Sequence, residues 1–339
     1  MHDFEQGPIR PPSEANSLLV RVSRNCPWNR CAFCPVYKGS KPSRRKVDEV
    51  LADLDAMQRV YGDWPQTVFL QDANPLIVRP DDLVRIIEGI RQRFPQVRRI
   101  TAYARSNTLA RRSLEDLQRL RQAGLNRLHV GLESGCDQVL ELIAKGVTQA
   151  EQIAGGQKAK QAGFELSEYV MPGLGGAELS DCHADDTAAA LVQIEPDFIR
   201  LRTTAVIPRT PLAELVAQGR FTPCSEVQLV REIRRFLRGL DGVQARLESD
   251  HMLNLLMELR GDLPAELDDL IAVCDRFLDL PATDRWRFVL ARRMGWMGRL
   301  ADFLRPEVRA ELGRRLDLPE DADERELERI SAELRMRMV

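Results

Sequence analysis

The chain has 339 residues, 44% of them apolar, with 49 Lys plus Arg against 51 Asp plus Glu for a net charge of −2. That is too apolar for a disordered chain and enough for a sizeable core, and at roughly 100–200 residues per domain it predicts one to three domains. The charge balance excludes both a histone-like nucleic-acid binder and an acidic solvating chain.

The first sixteen residues, MHDFEQGPIRPPSEAN, are polar and proline-rich and read as an N-terminal tail, residues 1–16. They carry neither the apolar core of a signal peptide nor a basic amphipathic transit pattern. No stretch approaches the roughly 18 apolar residues of a membrane span, so a cytoplasmic protein with no membrane partner is expected. Residues 17–215 alternate short apolar runs with amphipathic stretches, predicting strands at 18–22, 67–70, 100–104, 127–133, 164–170 and 197–202. Between them, 47–60 places Val47, Val50, Leu51, Leu54 and Met57 near the 3.6-residue period, and 80–94 opens on Pro80-Asp81-Asp82. The stretches 113–123 and 149–162 stop at Gly124 and Gly163. Strands alternating with helices need parallel pairing, which predicts an α/β core built as a partial (β/α)6 TIM-like barrel with its working end where the strands finish.

From 216 to 339 strand signals nearly vanish, and helices are expected at 225–237, 249–259, 264–278, 284–294 and 324–338, making an all-helical C-terminal region. Residues 221–339 hold 20 Arg, no Lys and 24 acidic residues, so arginine pairs such as Arg292-Arg293 and Arg314-Arg315 read as solvated faces or ion pairs and not as a phosphate track.

Seven cysteines, an odd number with no export signal, argue against a disulfide framework. Cys136, Cys182, Cys224 and Cys274 are scattered and read as small buried hydrophobes. Cys26, Cys31 and Cys34 sit within nine residues. Three thiolates on a [4Fe–4S] cube leave one iron without a protein ligand, the open position that a catalytic metal keeps. Zinc would need a fourth ligand, and no Cys or His follows at the usual distance.

The loop follows the first strand, and Phe33 precedes its third cysteine. Gly131-Leu132-Glu133-Ser134-Gly135 lies on the fourth strand, Lys145-Gly146 after the next helix, and Met171-Pro172-Gly173-Leu174-Gly175-Gly176 after the fifth strand. Taken together and in this order, residues 16–211 resemble the radical S-adenosylmethionine (radical SAM) superfamily, of the type shared by the elongator catalytic subunit, the methylthiotransferases and oxygen-independent coproporphyrinogen oxidases. The loop departs from the usual C-x-x-x-C-x-x-C by one residue, having four between Cys26 and Cys31. The resemblance implies a [4Fe–4S] cluster on Cys26, Cys31 and Cys34, and S-adenosylmethionine chelated at the open iron. A single electron then splits the cofactor, and the 5′-deoxyadenosyl radical abstracts hydrogen. It also implies Phe33 near the adenine, Lys145 at a position that contacts the cofactor carboxylate unless it is a surface lysine, and a flavodoxin or ferredoxin as electron donor. The Gly-Gly-Glu segment that relatives place after the second strand is missing. Asp72, with Asn74 beside it, is the acidic residue placed to substitute, unless the two form an Asx turn before Pro75.

Strand parity turns His129, Gly131 and Glu133 into the lumen, with Leu128, Val130 and Leu132 outside. It turns Thr101, Tyr103 and Arg105 inward on the third strand and Arg200 and Arg202 on the sixth, while Glu168 and Tyr169 compete on the fifth. Two buried guanidiniums need anions, either Glu133 or a substrate carboxylate or phosphate. Glu133 is accordingly a cofactor contact or an arginine partner. Ser249-Asp250-His251 opens a predicted helix, with His251 a proton donor or substrate contact, or else a capping and packing residue. The sequence thus points to a radical SAM enzyme acting on a small anionic molecule, with His129, Tyr169 and His251 as substrate candidates. The alternatives are a radical enzyme modifying tRNA, which the acidic helical region argues against, and a non-catalytic iron–sulfur carrier or redox sensor.

Overall fold

A computed structural model of the chain describes residues 4–319 and 322–338. In chain order the strands are β1 (Leu18–Arg21), β2 (Ser23–Arg24), β3 (Ser43–Arg44), β4 (Thr67–Gln71), β5 (Arg99–Ala104), β6 (Leu125–Glu133), β7 (Glu165–Val170), β8 (Phe198–Leu201), β9 (Arg246–Glu248) and β10 (Gly261–Asp262). The helices are α1 (Val47–Tyr61), α2 (Pro80–Arg93), α3 (Ser106–Arg111), α4 (Leu114–Ala123), α5 (Asp137–Leu142), α6 (Gln149–Gln161), α7 (Ser180–Ile194), α8 (Pro211–Ala217), α9 (Glu226–Arg238), α10 (Leu267–Leu278), α11 (Ala282–Arg293), α12 (Leu300–Phe303), α13 (Pro306–Arg315) and α14 (Glu324–Met336). All six expected core strands form, and a helix separates each from the next, as an α/β fold requires. No helix among the described residues is long and apolar enough to cross a membrane.

The chain divides into two compact units. The first comprises residues 1–132, 144–169 and 193–197. Its strands β1, β4, β5, β6 and β7 lie side by side in that order. The parallel register pairs Leu19 with Phe69, Phe69 with Thr101, Thr101 with Arg127 and Tyr103 with His129, so these residues share the inner face. The other face, with Val20, Val68, Leu70, Ile100, Ala102, Leu128 and Val130, is fully buried, as are Leu54 and Met57 of α1, Ile86 and Ile90 of α2 and Leu117 and Leu120 of α4. Burial on both faces is why these strands read as nearly continuous apolar runs.

The N-terminal segment is not the tail its composition suggested. Gln71, on the inner face, accepts from the Gly7 N–H at 2.9 Å and donates to the Ile9 carbonyl at 2.7 Å. Seven residues on, Glu14 is completely buried. It accepts from Ser17 Oγ at 2.5 Å, lies 3.4 Å from His129 Nε2 and pairs with Arg99 at 3.6 Å. The segment therefore runs from the C-terminal end of β4 to the N-terminal end of β5. Burial opposes the Glu14 charge, but His129, Ser17 and Arg99 hold its carboxyl below the usual range. One carboxylate and a few backbone amides do this work, which leaves no apolar period to read.

The second unit comprises residues 133–143, 170–192 and 198–339. It is not all-helical: β9 pairs in parallel with β8, and β10 antiparallel with β9. The helix expected at 249–259 is absent, because Ser249, its expected cap, and Asn254 bond across a loop instead. Ser249 Oγ donates to the Leu256 carbonyl at 2.8 Å, and Asn254 Nδ2 donates to the Leu201 carbonyl at 2.8 Å. Helix α9 begins as expected at Ser225, with a capping box to Gln228, and buries Leu229, Val230, Ile233, Phe236 and Leu237. Phe277, Phe288 and Phe303 continue the core through ring contacts at 6.0 and 5.6 Å.

Two readings of this unit need correction. Arg292 and Arg293 are buried, so of the two expected roles the solvated face fails and the ion pair holds, at Arg293, whereas Arg314 and Arg315 pair with Glu311 at the surface. Arg293 grips Glu226 with two bonds of 2.9 Å, and Arg335 and Ser331 reach the same carboxylate at 2.7 Å. In addition, Cys136 and Cys182 are not independent hydrophobes but a disulfide closing 46 residues of sequence. Cys224 and Cys274 are buried thiols whose pKa burial pushes up to about 12.

Glu328 accepts from the Glu226 N–H at 2.8 Å, and burial, then the Glu226 charge, raise its pKa to about 7. An acid held more tightly protonated in the native state adds stability below its unfolded value that is lost as pH rises through about 7. Glu328→Gln keeps the acceptor and removes the titration. Thermal unfolding at about pH 5 and about pH 8 should show a smaller loss at the higher pH than in the parent chain. An unchanged pH dependence would contradict this assignment.

Candidate active site

The segment between β2 and β3 is closed at its base by antiparallel pairing of Ser23 with Arg44 and Arg24 with Ser43. Within it Cys26, Cys31 and Cys34 are half-buried and outside any disulfide. Asn25 (φ 64°) and Asn29 (φ 51°) supply the left-handed turns, which Asn adopts more readily than most side chains. The Asn29 N–H donates to Cys26 Sγ at 3.4 Å. Lys38 Nζ ties the segment from within, donating to the carbonyls of Asn29 at 3.1 Å and Cys31 at 3.0 Å.

Trp28 anchors the loop to the rest of the unit. Its Nε1 donates to the Ala144 carbonyl at 2.8 Å, and the guanidiniums of Arg30 and Arg105 each lie 5.2 Å from its ring centroid. Gly146 adopts φ +68°, and a Cβ there would fall 2.1 Å from the Trp28 ring. Sequence reasoning singled out Lys145-Gly146 but missed Trp28, the residue that explains the glycine. Lys145 is buried, which overturns its reading as a surface lysine. Its carbonyl accepts from Arg105 Nη2 at 2.8 Å. Burial lowers the Arg105 pKa, and the charges of Cys31 and Cys26 raise it, so this guanidinium sits in the field of the thiols. Phe33 lies half-buried beside Cys34.

On the inner face, Phe69 and Tyr103 meet edge-on at 4.9 Å, and the His129 ring lies 6.2 Å from Tyr103 and 5.8 Å from Tyr169. Tyr169, not Glu168, therefore takes the inner face of β7. Gly131, two residues beyond His129, is half-buried.

Asp72 requires a correction. Its side chain is completely buried, and its two oxygens accept from Arg21, Asn25 and Tyr37, so it is enclosed by this chain and closed to a cofactor amino group. Asn74 Nδ2 donates to Thr108 Oγ1 at 2.9 Å, while its Oδ1 is a buried acceptor with no partner among the described residues.

Glu133, Arg200, Arg202 and His251 belong to the second unit. Glu133 is half-buried with φ 65°, an uncommon conformation for a side chain of this kind. Arg200 is buried, and its charge is met by Asp250 at 2.6 Å, so a substrate anion is not needed to neutralise it. Arg202 is exposed, which removes the second guanidinium of that argument. Burial first, then Arg202, lower the His251 pKa to about 4, and its Nδ1 accepts from the Leu253 N–H at 3.3 Å. His251 is thus neutral near pH 7 and is not a proton donor there.

Residues 20–186 match the Radical SAM superfamily. The chain is 24% identical over 196 residues to the heme chaperone HemW of Bacillus subtilis (strain 168), a match covering 56% of this chain and 50% of that protein. The chain thus spans about half the length of this curated relative. It superposes on coproporphyrinogen III oxidase (HemN) from Escherichia coli with a TM-score of 0.50 and 19% identity, covering 66% of this chain and 52% of that one. The cobalamin-dependent S-adenosylmethionine radical enzyme OxsB gives a TM-score of 0.51 and 15% identity, over 95% of this chain and 54% of the other. The two structures establish a shared fold. Through residues 20–186, just under half of its length, the chain carries a radical SAM domain.

Gly146→Ala should cost about 1–2 kcal/mol, from the positive φ and the clash with Trp28. Denaturant unfolding of Gly146→Ala, Trp28→Ala and the double variant checks this. The clash predicts that the two losses add to less than their sum. Strict additivity would place Trp28 elsewhere.

Proposed function

We propose that this radical SAM protein is an enzyme that holds a [4Fe–4S] cluster on Cys26, Cys31 and Cys34 and binds S-adenosylmethionine beside it. The observation that carries the reading is the donor set. Three soft thiols share one loop under the Arg105 cation, Cys136 and Cys182 are bonded to each other, and Cys224 and Cys274 are buried with strongly raised pKa values. Three thiolates suit a cube with one open iron and leave a tetrahedral zinc site incomplete. When bound, cluster and cofactor together supply a one-electron cleavage and a carbon radical able to abstract hydrogen.

The chain's own residues bind, orient and exclude water. Half-buried Arg105 and buried Lys145 provide positive charge for a carboxylate. The unmatched Asn74 Oδ1 offers an acceptor suited to an ammonium group, the task that sequence reasoning gave to Asp72. Phe33 and Gly131 of the first unit contact the nucleoside. His129, Tyr103 and Tyr169, with Phe69, give the substrate side an aromatic wall that excludes water and with it unwanted quenching. With Arg200 matched by Asp250, the substrate is a small organic molecule with no anionic group required by that pair.

The electron donor is a small acidic carrier such as a flavodoxin or ferredoxin. From Asn25 to Val47 the chain carries Arg30, Lys38, Lys41, Arg44, Arg45 and Lys46 and no acidic residue. Of these Arg30, Lys41, Arg44 and Lys46 are exposed. A basic rim around the thiols steers an acidic partner to the site of electron entry.

After anaerobic reconstitution the chain should hold about four iron per molecule with matching sulfide. Cys26→Ala, Cys31→Ala and Cys34→Ala should each lose the cluster, while Cys274→Ala keeps it. Adding S-adenosylmethionine should change the paramagnetic spectrum of the reduced protein, and dithionite should then yield 5′-deoxyadenosine. A full cluster in any of the three loop variants would overturn the ligand assignment.

A further inference from the structure

Asp72 follows directly on β4, and its carboxylate is fully enclosed. Oδ2 accepts from Arg21 Nη2 at 2.8 Å and from the Asn25 N–H at 3.1 Å. Oδ1 accepts from the Tyr37 hydroxyl. Asn25 immediately precedes Cys26, and Tyr37 lies three residues beyond Cys34. A single carboxylate therefore grips both flanks of the segment that carries the three thiols.

A buried carboxylate needs both charge and hydrogen-bond compensation. Arg21 supplies the charge, and it is held in turn by Glu5, whose Oε1 it reaches at 2.8 Å. Glu5 also receives Arg24 Nη2 at 2.8 Å, from the strand that opens the loop. The Gly7 N–H bonds to Gln71, the neighbour of Asp72, at 2.9 Å. The N-terminal segment thus backs the clamp from outside. Burial first, and then the Asp72 charge, push the Tyr37 hydroxyl far above its ordinary pKa, so it stays a donor at any working pH.

We propose that Asp72 is the positioning residue of the cysteine loop: by holding Asn25 and Tyr37 at once, it pre-organises Cys26, Cys31 and Cys34 for the cluster. The inference rests on the cluster reading given above and deepens it. It assigns the acidic residue after β4 to the loop and not to the cofactor. Without the clamp the thiols must be collected from a looser ensemble, an entropic cost that falls on cluster binding.

The test uses the full chain with Asp72→Asn and Tyr37→Phe, each close in shape to its parent residue. After anaerobic reconstitution, a chelator should strip iron from Asp72→Asn about tenfold faster than from the parent chain, equivalent to about 1.4 kcal/mol. Tyr37→Phe, which releases one flank only, should show a smaller acceleration. Both should broaden the paramagnetic spectrum of the reduced cluster, which a role in general stability would not do. Thermal unfolding of the chains before reconstitution separates the two roles, and similar midpoints with faster iron loss support the proposal. Parent-like chelation rates and spectra in both variants would overturn it while leaving the cluster reading intact. A parent chain that takes up no iron and sulfide would overturn both.

Discussion

The geometry of the candidate site depends on one buried anion. Asp72 lies at the end of a strand whose neighbours are apolar, where an uncompensated carboxylate would destabilise the fold by several kcal/mol. Arg21, Asn25 and Tyr37 converge on it because that cost must be met, and in converging they draw the ends of a long irregular loop together. The arrangement turns an electrostatic necessity into a positional constraint. Trp28 adds a second fixed point, between Gly146 and two guanidiniums, so the loop is held at both flanks of the thiols and again between Cys26 and Cys31.

The regular part of the fold was legible in the sequence because period and burial coincide there. The six core strands and most helices follow from apolar runs and glycine stops, and the inward set Thr101, Tyr103, His129 follows from alternation alone. What escaped reading has no period. Glu14 and Gln71 seat residues 7–17 through isolated polar contacts, and no hydropathy pattern announces them. Asp72 was noticed for its acidity and placed at the right point of the chain, yet its partners are 35 to 51 residues away in sequence. Ser249 looked like a helix cap because the same side chain that caps a helix also closes a turn.

The second unit shows the same limit in its charges. Arg292-Arg293 and Arg200 were read by sign and spacing, and their partners decide their meaning. Glu226 lies 67 residues from Arg293 and 109 from Arg335, and Asp250 lies 50 from Arg200. Burying Glu226 is tolerable because two guanidiniums and a hydroxyl saturate it, and the same pairs fix how α9, α11 and α14 meet. A lone cysteine is likewise uninformative in sequence. Cys136 and Cys182 acquire meaning only as a pair.

The placement of Glu14 also orders events during synthesis. This residue leaves the ribosome before any strand it will touch, and its contact with His129 spans 115 residues of chain. Arg99 and His129 must emerge before the Glu14 carboxylate has these partners, so its docking follows the synthesis of β5 and β6. Until then the buried His129 ring lacks the carboxylate that meets it in the folded chain.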